Sequence, residues 1–311
     1  MSSRSKFSRD NQPRPTGRLT RRRLLAIGLP TAAAAAFGAV GGHGFREARR
    51  LNLKEVLIPV HQLPYAFEGF TIAQLSDFHY HPLFTAKVIS DAVHIVNRLY
   101  PDVVVLTGDF VTVPYFGSRH KAKLEIQTQA EPCAELLSQL RPKHGIFAVL
   151  GNHDQSSQPA LVTESLRNRG ICVLRNQAVP LELSGSRVWL AGVDDVLEGA
   201  DDLPRALHDI RRNEITILLA HEPDFADYAA AHPVSVQLSG HSHGGQIQLP
   251  FFGPPYLPEL GRKYPWGLRR VGGLNLHTNC GLGTIELPIR WNCPPEVTLI
   301  RLVNGSARQP A

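Results

Sequence analysis

Five short stretches of this chain place metal-binding side chains directly after apolar, β-branched runs. They are Asp77-Phe78-His79, Gly108-Asp109, Gly151-Asn152-His153-Asp154, the lone His221 and Gly240-His241-Ser242-His243. Carboxylate, amide and imidazole ligands without a thiolate suit Mn²⁺, Fe or Zn²⁺ and argue against a purely structural zinc site. Two such ions held roughly 3.5–4 Å apart can bind both the attacking and the leaving oxygen of a displacement at phosphorus. The residue types therefore predict a hydrolytic site with two divalent metal ions.

The spacing within the stretches indicates how the ligands are shared. In Asp77-X-His79 and in His241-X-His243, a two-residue step points both side chains the same way if the backbone stays extended. Asp109 is predicted to bridge the two ions, because a carboxylate offers two oxygens and no other acid of the set lies between two ligand blocks.

Each stretch also has a simpler interpretation when taken alone. Gly108-Asp109 is typical of an ordinary strand-to-loop turn, and the Asn152-His153-Asp154 and Gly240–His243 segments could be turns with incidental polar residues. A single histidine is usually a surface or core residue, and the role of His81 stays open. The conjunction of all the stretches, each placed after an Ile/Leu/Val run, favours the metal site.

The elements that must position these residues can be read from hydrophobic periodicity. Strands are predicted at 56–60, 71–75, 103–107, 146–150, 188–192, 215–220, 234–238, 246–249, 274–278 and 297–302. Helices are predicted at 87–99, 132–140, 160–169 and 203–211. Alternating strands and helices followed by strand-turn-strand units predict an α/β fold of two packed mixed sheets flanked by helices. The ligands then lie on loops at strand ends, where open α/β sheets usually place their sites.

The five stretches in this order resemble the motifs of the calcineurin-like metallophosphoesterases, and the flanking sequence is similar to their exported YkuE/YaeI-type branch. The similarity extends over roughly residues 53–303, including Cys280-Gly281-Leu282-Gly283-Thr284. It implies a four-layer α/β/β/α sandwich. One departure is visible, because the family's second block often continues to another Asp where this chain has Thr112. That difference puts a contact behind the ligands in doubt and removes no ligand.

The resemblance also implies a role for each site residue. One ion would be held by Asp77, His79, Asp109 and His243, and the other by Asn152, His221, His241 and the shared Asp109. The expected nucleophile is a water or hydroxide between the ions, since metal binding lowers the pKa of water toward neutrality. His153 is the predicted group for stabilising the transition state or protonating the leaving oxygen, with a structural role as the alternative. Asp154 is predicted to orient its imidazole.

The first 41 residues predict an export signal. Thr20-Arg21-Arg22-Arg23-Leu24-Leu25 opens an apolar stretch that runs to Val40 and is similar to a twin-arginine signal. The stretch of 17 residues is a little short of the roughly 20 needed to span a bilayer. We therefore expect export by the twin-arginine translocase, with the protein free in the periplasm or anchored to the outer face of the inner membrane. Residues 42–311 are predicted to form one metallophosphoesterase domain.

The charge distribution follows from this signal. Residues 1–41 contain eight Lys or Arg and one Asp, a net charge of +7, so the rest carries −1 of the total +6. The basic pI thus belongs mainly to the signal and does not indicate a nucleic-acid partner. Four cysteines are compatible with export but form no dense disulfide framework. Cys280 and Cys293 could meet, although a metal-centred core would not need that bond.

Two segments are long enough to shape a substrate pocket. Residues 113–128 and 250–270 combine aromatic and basic side chains, which suits an amphiphilic phosphate as well as a plain surface loop or a membrane contact. The resemblance implies phosphodiester or pyrophosphate substrates, including UDP-2,3-diacylglucosamine, but that compound is cytoplasmic and an exported enzyme would not meet it. The alternatives are a phosphomonoesterase and a metal-containing binding protein of the cell wall or membrane surface with little activity.

Overall fold

In the computed structural model, residues 41–113 and 125–305 are described, and the globular unit begins at His43. The strands are β1 (Asn52–Val60), β2 (Thr71–Leu75), β3 (Val103–Leu106), β4 (Ile146–Ala148), β5 (Cys172–Val173), β6 (Gln177–Leu183), β7 (Ser186–Gly192), β8 (Thr216–Leu219), β9 (Val236–Ser239), β10 (Gly267–Val271), β11 (Leu274–Thr278) and β12 (Glu296–Asn304). The helices are α1 (Ala86–Leu99), α2 (Gln127–Leu137), α3 (Asn152–Ser156), α4 (Pro159–Arg167), α5 (Leu203–Ala206) and α6 (Ala226–Ala229). Single 3₁₀ turns lie at Tyr65–Phe67, Pro223–Phe225 and His243–Gly245.

The strands form two mixed six-stranded sheets. The first has the order β1-β12-β2-β3-β4-β5 and the second the order β10-β11-β9-β8-β7-β6. In the first sheet β2, β3, β4 and β5 run parallel, and in the second β7, β8, β9 and β11 run parallel. The carboxyl ends of the parallel strands within each sheet therefore share one edge, which is where ligands collect in α/β folds.

Successive side chains of each strand point to opposite faces of its sheet, which explains why the sheets stack. Along β3, Val103 and Val105 belong to the apolar layer between the two sheets, whereas Val104 and Leu106 belong to the layer beneath the helices. Helices α1, α2 and α4 cover that outer face, and α5 and α6 contribute to the apolar layer on the outer face of the second sheet. The predicted four-layer α/β/β/α sandwich is confirmed.

Several predicted boundaries are wrong for identifiable reasons. Strands β5, β6 and β10 were not predicted, because β6 and β10 lie at sheet edges, where exposed polar residues weaken the apolar signal, and β5 has only two residues. Residues 246–249 form isolated bridges instead of a strand. Helix α2 begins at Gln127 and not at Pro132, which lies within the helix, and α5 ends at Ala206 and not near 211.

Part of the predicted organisation lies outside the described residues. This applies to the signal up to residue 40 and to the aromatic and basic side chains at 114–124. Among the helices that are described, none has the length and apolar character needed to cross a membrane.

Candidate metal centre

Five loops from the two sheets meet to form the site. The first sheet contributes three: β2 leads to Asp77 and His79, β3 to Asp109, and β4 to Asn152 and His153. The second sheet contributes two, with β8 leading to His221 and β9 to His241 and His243. All these side chains are buried. The structure thus brings together every residue for which the sequence predicted a ligand role.

One ligand group surrounds His79. Its Nε2 atom lies 3.1 Å from His243 Nε2 and 3.4 Å from Asp109 Oδ2. Asp77 Oδ1 lies 3.4 Å from His243 Nε2. Asp77, His79 and His243 each offer a ligand atom within 4.8 Å of the other two, which is close enough to hold one ion.

The second group lies on the other side of Asp109. His221 Nε2 is 3.2 Å from Asp109 Oδ2, and Asp77, Asp109 and His221 offer ligand atoms within 4.8 Å of one another. His241 Nδ1 is 3.1 Å from Asn152 Oδ1. Since Asp109 Oδ2 faces both His79 and His221, its position supports the bridging role predicted for it.

Backbone carbonyls fix the orientation of two imidazoles. His221 Nδ1 lies 2.6 Å from the Thr107 carbonyl, and His241 Nε2 lies 2.7 Å from the Glu259 carbonyl. When each of these nitrogens donates its proton to the carbonyl, the other ring nitrogen is left to face the cluster. Histidines that bind metals usually have such a partner on the second nitrogen. The hydroxyl of Thr112 is also 3.3 Å from His79 Nδ1, so it can supply the contact that the missing family Asp had put in doubt.

The backbone at the ligands is not extended, which corrects the geometric argument from sequence. Asp77, His79, Asp109, His241 and His243 all have positive φ, between 41° and 68°. Left-handed backbone is uncommon for residues other than glycine and is typical of constrained functional sites. The paired residues converge because the chain turns tightly after each strand, and not because a strand continues.

Neighbouring glycines make this close packing possible. A Cβ atom at Gly108 would lie 2.6 Å from His221 Nδ1, and one at Gly281 would lie 2.6 Å from Asp77 Cβ. Gly151 and Gly240 likewise leave no room for a side chain beside Asp109 and Asp77. The glycine of each motif is therefore required by the ligand of another loop.

Burial and the neighbouring charges set the protonation of the ion-free site. Burial lowers the pKa of His79 and of His241 to about 3, and it raises the pKa of Asp77 to about 6. Burial also opposes charge on His221, but the Asp109 carboxylate outweighs it and raises the pKa of His221 well above its usual value. Conversely, burial disfavours the Asp109 carboxylate, yet His221 and His153 hold the pKa of Asp109 well below its usual range.

This arrangement fits divalent cations. Two imidazole nitrogens, His79 Nε2 and His243 Nε2, face each other at 3.1 Å, and the low pKa values leave both rings neutral at pH 7. Facing lone pairs are unfavourable unless a proton or cation lies between them. His243 Nδ1 is buried without a hydrogen-bond partner, and His221 Nε2 has only the Asp109 carboxylate beside it, at 3.2 Å. A cation bound by the nitrogen and carboxylate lone pairs would satisfy such groups.

Metal binding should release a proton. Because Asp109 raises the pKa of His221, its imidazole is charged at pH 7 in the ion-free protein and must become neutral before it can bind a cation. We expect Mn²⁺ binding at pH 7 to release about one proton and affinity to rise with pH. Calorimetric titration in buffers of different ionisation enthalpy measures the release. Equal heats in all buffers would contradict the prediction.

His153 lies beside the ligands, but Asp154 has a different task from the predicted one. The Val113 N–H donates to His153 Nδ1 at 2.9 Å, and the rings of His153 and His79 are 4.8 Å apart. The Asp154 carboxylate accepts hydrogen bonds from the backbone N–H groups of residues 109, 110, 111 and 151, at 2.8–3.1 Å. Asp154 therefore orders the loop that carries Asp109, and Val113 holds the imidazole that Asp154 was predicted to orient.

The sequence reasoning missed Arg290. This side chain is fully buried, and its guanidinium donates to the carbonyls of residues 280, 281, 283 and 293 at 2.6–3.1 Å. The loop it organises packs on the first ligand, because Leu282 N–H donates to the Ser76 carbonyl and Gly283 N–H to the Asp77 carbonyl. Only the Cys280–Thr284 motif hinted at this loop, and nothing in the sequence pointed to its arginine.

Arg290→Met should destabilise the fold, because four buried carbonyl groups would lose their donor. We expect a loss of about 3 kcal/mol in the free energy of unfolding, measured by urea denaturation. Arg290→Lys should recover little of this, since an ammonium group cannot match the planar array of guanidinium donors. The exposed Arg301→Met is the control and should change stability by no more than about 0.5 kcal/mol. Equal stability of Arg290→Met and Arg301→Met would refute the role.

Cys280 and Cys293 come together without forming a disulfide. Both are free thiols, and both sulfur atoms border Gly244, where a Cβ atom would lie 2.9 Å and 2.6 Å from them. Cys293 Sγ donates to the His243 carbonyl at 3.2 Å. The thiols therefore pack behind one ligand loop.

A cavity of about 460 Å³ opens directly on the ligands. Asp109, Asn152, His153, His241 and His243 form its floor. Its remaining lining is mostly apolar or uncharged, and consists of Ser242, Gly245, Gln246, Ile247, Pro255, Tyr256, Pro258, Ile285, Glu286 and Leu287. No Lys or Arg of the described residues lines it.

Fold and site together define a metallophosphoesterase: two stacked mixed sheets whose strand-end loops converge on a histidine and aspartate cluster. The sequence profile of the calcineurin-like phosphoesterases matches residues 70–245, and the chain belongs to that family.

Relatives of the chain support this assignment over almost its full length. It is 35% identical to the uncharacterized metallophosphoesterase YkuE of Bacillus subtilis, covering 92% of this chain and 98% of that protein. It is 32% identical to the phosphodiesterase YaeI of Escherichia coli, covering 75% and 82%. A crystal structure of a 5'-nucleotidase precursor from Thermus thermophilus matches with 13% identity and a TM-score of 0.44, over 75% of this chain and 54% of the other. That last likeness carries no argument about function.

Proposed function

We propose that the protein is a phosphodiesterase or pyrophosphatase dependent on two divalent metal ions, acting on a lipid or cell-envelope phosphate. The observation that carries the proposal is the junction of the ligand cluster with an apolar cavity. Asp77, His79, Asp109 and His243 would hold one ion, and Asn152, His221, His241 and Asp109 the other. Bound ions would supply the positive charge that activates water and stabilises the phosphoryl oxygens.

The chain's own residues have distinct tasks in this reaction. Asp109 holds the two ligand groups at a fixed separation, and Asp154 maintains the loop that carries it. His153 lines the cavity floor with its Nδ1 occupied by Val113 N–H, so Nε2 is the atom that would exchange a proton with the leaving oxygen.

The cavity favours a diester over a monoester. A monoester carries close to two negative charges at neutral pH, whereas a diester carries one and adds a second substituent. The cavity has no Lys or Arg among its described lining residues and offers apolar walls for such a substituent. UDP-2,3-diacylglucosamine has a pyrophosphate bond and acyl chains of this kind, although an exported enzyme would need an amphiphilic phosphate outside the cytoplasm.

Hydrolysis of a soluble diester tests the proposal. The full-length chain is stripped of metal, titrated with Mn²⁺, and assayed with bis(p-nitrophenyl) phosphate and with p-nitrophenyl phosphate. We expect turnover only with metal and a clear preference for the diester. Preference for p-nitrophenyl phosphate would indicate a phosphomonoesterase. Absence of turnover with metal bound would favour a metal-containing binding protein of the cell wall or membrane surface.

We further propose export by the twin-arginine translocase to the periplasm or the outer face of the inner membrane. The motif Arg21-Arg22-Arg23 before an apolar stretch supports it. A fusion of the chain to a reporter that is active only outside the cytoplasm should show reporter activity. Arg21→Lys with Arg22→Lys should abolish that activity. Arg46→Lys with Arg49→Lys is the control and should leave the signal intact. If the reporter stayed in the cytoplasm, and therefore inactive, in all three fusions, this proposal would be wrong.

A further inference from the structure

An unusual turn exposes two phenylalanines near the metal centre. In the turn 249–253 the backbones of Leu249 and Gly253 exchange hydrogen bonds of 2.9 Å in both directions. Phe251 and Phe252 at its tip are 104% and 88% exposed, and Phe251 has a left-handed backbone with φ of 67°. A bulky residue in that conformation costs free energy, and neither ring recovers it by burial. The turn therefore destabilises the folded chain, which points to a contact between these rings and something other than this chain.

The apolar surface continues from this turn to the cavity. The chain leaves the turn through Pro255, Tyr256 and Pro258, which line the cavity, and Leu287 lines it from another loop. Tyr256 and Leu287 are also 62% and 57% exposed. The Gln246 side chain binds the backbone of Ile285 and Leu287, so it fixes the two walls relative to each other. An apolar path therefore runs from the metal ligands to the exposed rings.

The start of the globular unit lies beside the same turn. The His43 ring is 4.6 Å from the Trp291 ring, and the backbone of Trp291 pairs with Gln246 and Gln248, just before the turn. In the sequence, the apolar stretch 24–40 ends three residues before His43. A bilayer that bound that stretch would be joined to the globular unit at His43 through only Gly41 and Gly42 in the sequence.

A positive charge also borders the rim. The exposed Arg262 guanidinium donates to the Leu257 carbonyl at 3.3 Å, next to the cavity residue Tyr256. Arginine beside aromatic rings is the combination that binds the interface of a membrane with anionic headgroups, where the rings enter the acyl boundary and the cation stays at headgroup level.

We propose that the turn 249–253 inserts Phe251 and Phe252 into the outer layer of a lipid bilayer, so that the cavity opens toward the membrane. An amphiphilic phosphate then reaches the ligands from the bilayer, with its apolar part against Tyr256 and Leu287. The inference rests on the proposed function for the nature of the substrate, and on the turn itself for the membrane contact.

Site-specific fluorescence tests the contact even when the N-terminal segment binds lipid. The full chain with Cys172→Ser, which removes the partly exposed native thiol, and Phe252→Cys is labelled with an environment-sensitive nitrobenzoxadiazole probe. It is then mixed with vesicles of phosphatidylcholine and phosphatidylglycerol in equal parts. Tyr65→Cys is the matched control, because Tyr65 is also almost fully exposed but precedes β2 at the sheet edge away from the ligands. We expect emission to rise about threefold at position 252 and not at 65.

Each other outcome has a defined meaning. No rise at position 252 with vesicle-bound protein overturns the proposal, and an equal rise at both positions does so too. A rise without vesicles that depends on protein concentration also overturns it, and assigns the turn to a second copy of the chain. Phe251→Asp should abolish the rise at 252 while the hydrolysis of bis(p-nitrophenyl) phosphate stays unchanged. Loss of that soluble activity in every variant would count against the proposed function and leave the membrane result standing.

Discussion

Asp109→Asn should abolish most activity and release metal. The Asp109 Oδ2 atom faces His79 Nε2 at 3.4 Å and His221 Nε2 at 3.2 Å, so one carboxylate serves both ligand groups. An amide has nearly the same shape but no charge, and it would leave the two proposed ions without their shared negative ligand. We expect turnover of bis(p-nitrophenyl) phosphate to fall by roughly 10³-fold, about 4 kcal/mol of transition-state stabilisation. Elemental analysis of the purified variant should show less bound metal.

Asp102→Asn is the matched control. Asp102 stands immediately before β3, whereas Asp109 follows the same strand at its other end. The Asp102 carboxylate accepts hydrogen bonds from Thr71 and Lys143 and lies away from the ligands. This variant should lose some stability and keep its metal content. If Asp109→Asn retained full metal and turnover, Asp109 would not be the bridge.

His153→Ala should keep the metal and lose turnover. Its ring packs edge-on against His79, and Val113 N–H occupies its Nδ1 atom, which leaves Nε2 as the atom for proton transfer. Acid–base groups typically contribute 10²–10⁴-fold, so we expect a fall of roughly 10²-fold or more in kcat. Metal content is measured on the same preparation. The fall is expected with an alkyl phosphodiester, whose leaving alkoxide needs a proton, and should be smaller with bis(p-nitrophenyl) phosphate, because p-nitrophenolate leaves without one.

His144→Ala provides the comparison for this variant. His144 precedes β4 and His153 follows it, and His144 is exposed. Its removal should leave kcat unchanged. Unaltered turnover in His153→Ala would remove His153 from the mechanism. Loss of metal from His153→Ala would instead make it a ligand, which its ligand atom within 4.8 Å of those of His79 and Asp109 allows.

The sequence predicted the site better than it predicted the local geometry. The ligands can be identified from their side-chain chemistry and from their position directly after each strand. An error in the predicted length of a strand does not change the order of the motifs. The left-handed backbone at Asp77, His241 and His243 could not be predicted in this way, because it results from loops of two sheets that compete for the same space. Asp154 illustrates the same limit, since three of its four backbone partners lie 43 to 45 residues away, where no spacing rule reveals them.

The elements of the fold also differ in how well the sequence predicted them. Central strands such as β3 and β8 are continuous apolar runs that are fully buried, so their positions were predicted within about one or two residues. The edge strands β6 and β10 have only one buried residue each and carry no comparable signal. Arg290 is the clearest omission, because an arginine among apolar residues predicts exposure until the four carbonyl groups around it are known.

The ligands come from both sheets, so the stability of the folded protein should depend on the concentration of free metal. Asp77, His79, Asp109 and Asn152 belong to one sheet, and His221, His241 and His243 to the other. Ions that bind only this folded arrangement would stabilise it by about 2.7 kcal/mol when free metal exceeds the dissociation constant 100-fold. The melting temperature of the protein would then depend on metal concentration, and chains made during metal shortage would be the first to be lost to proteolysis.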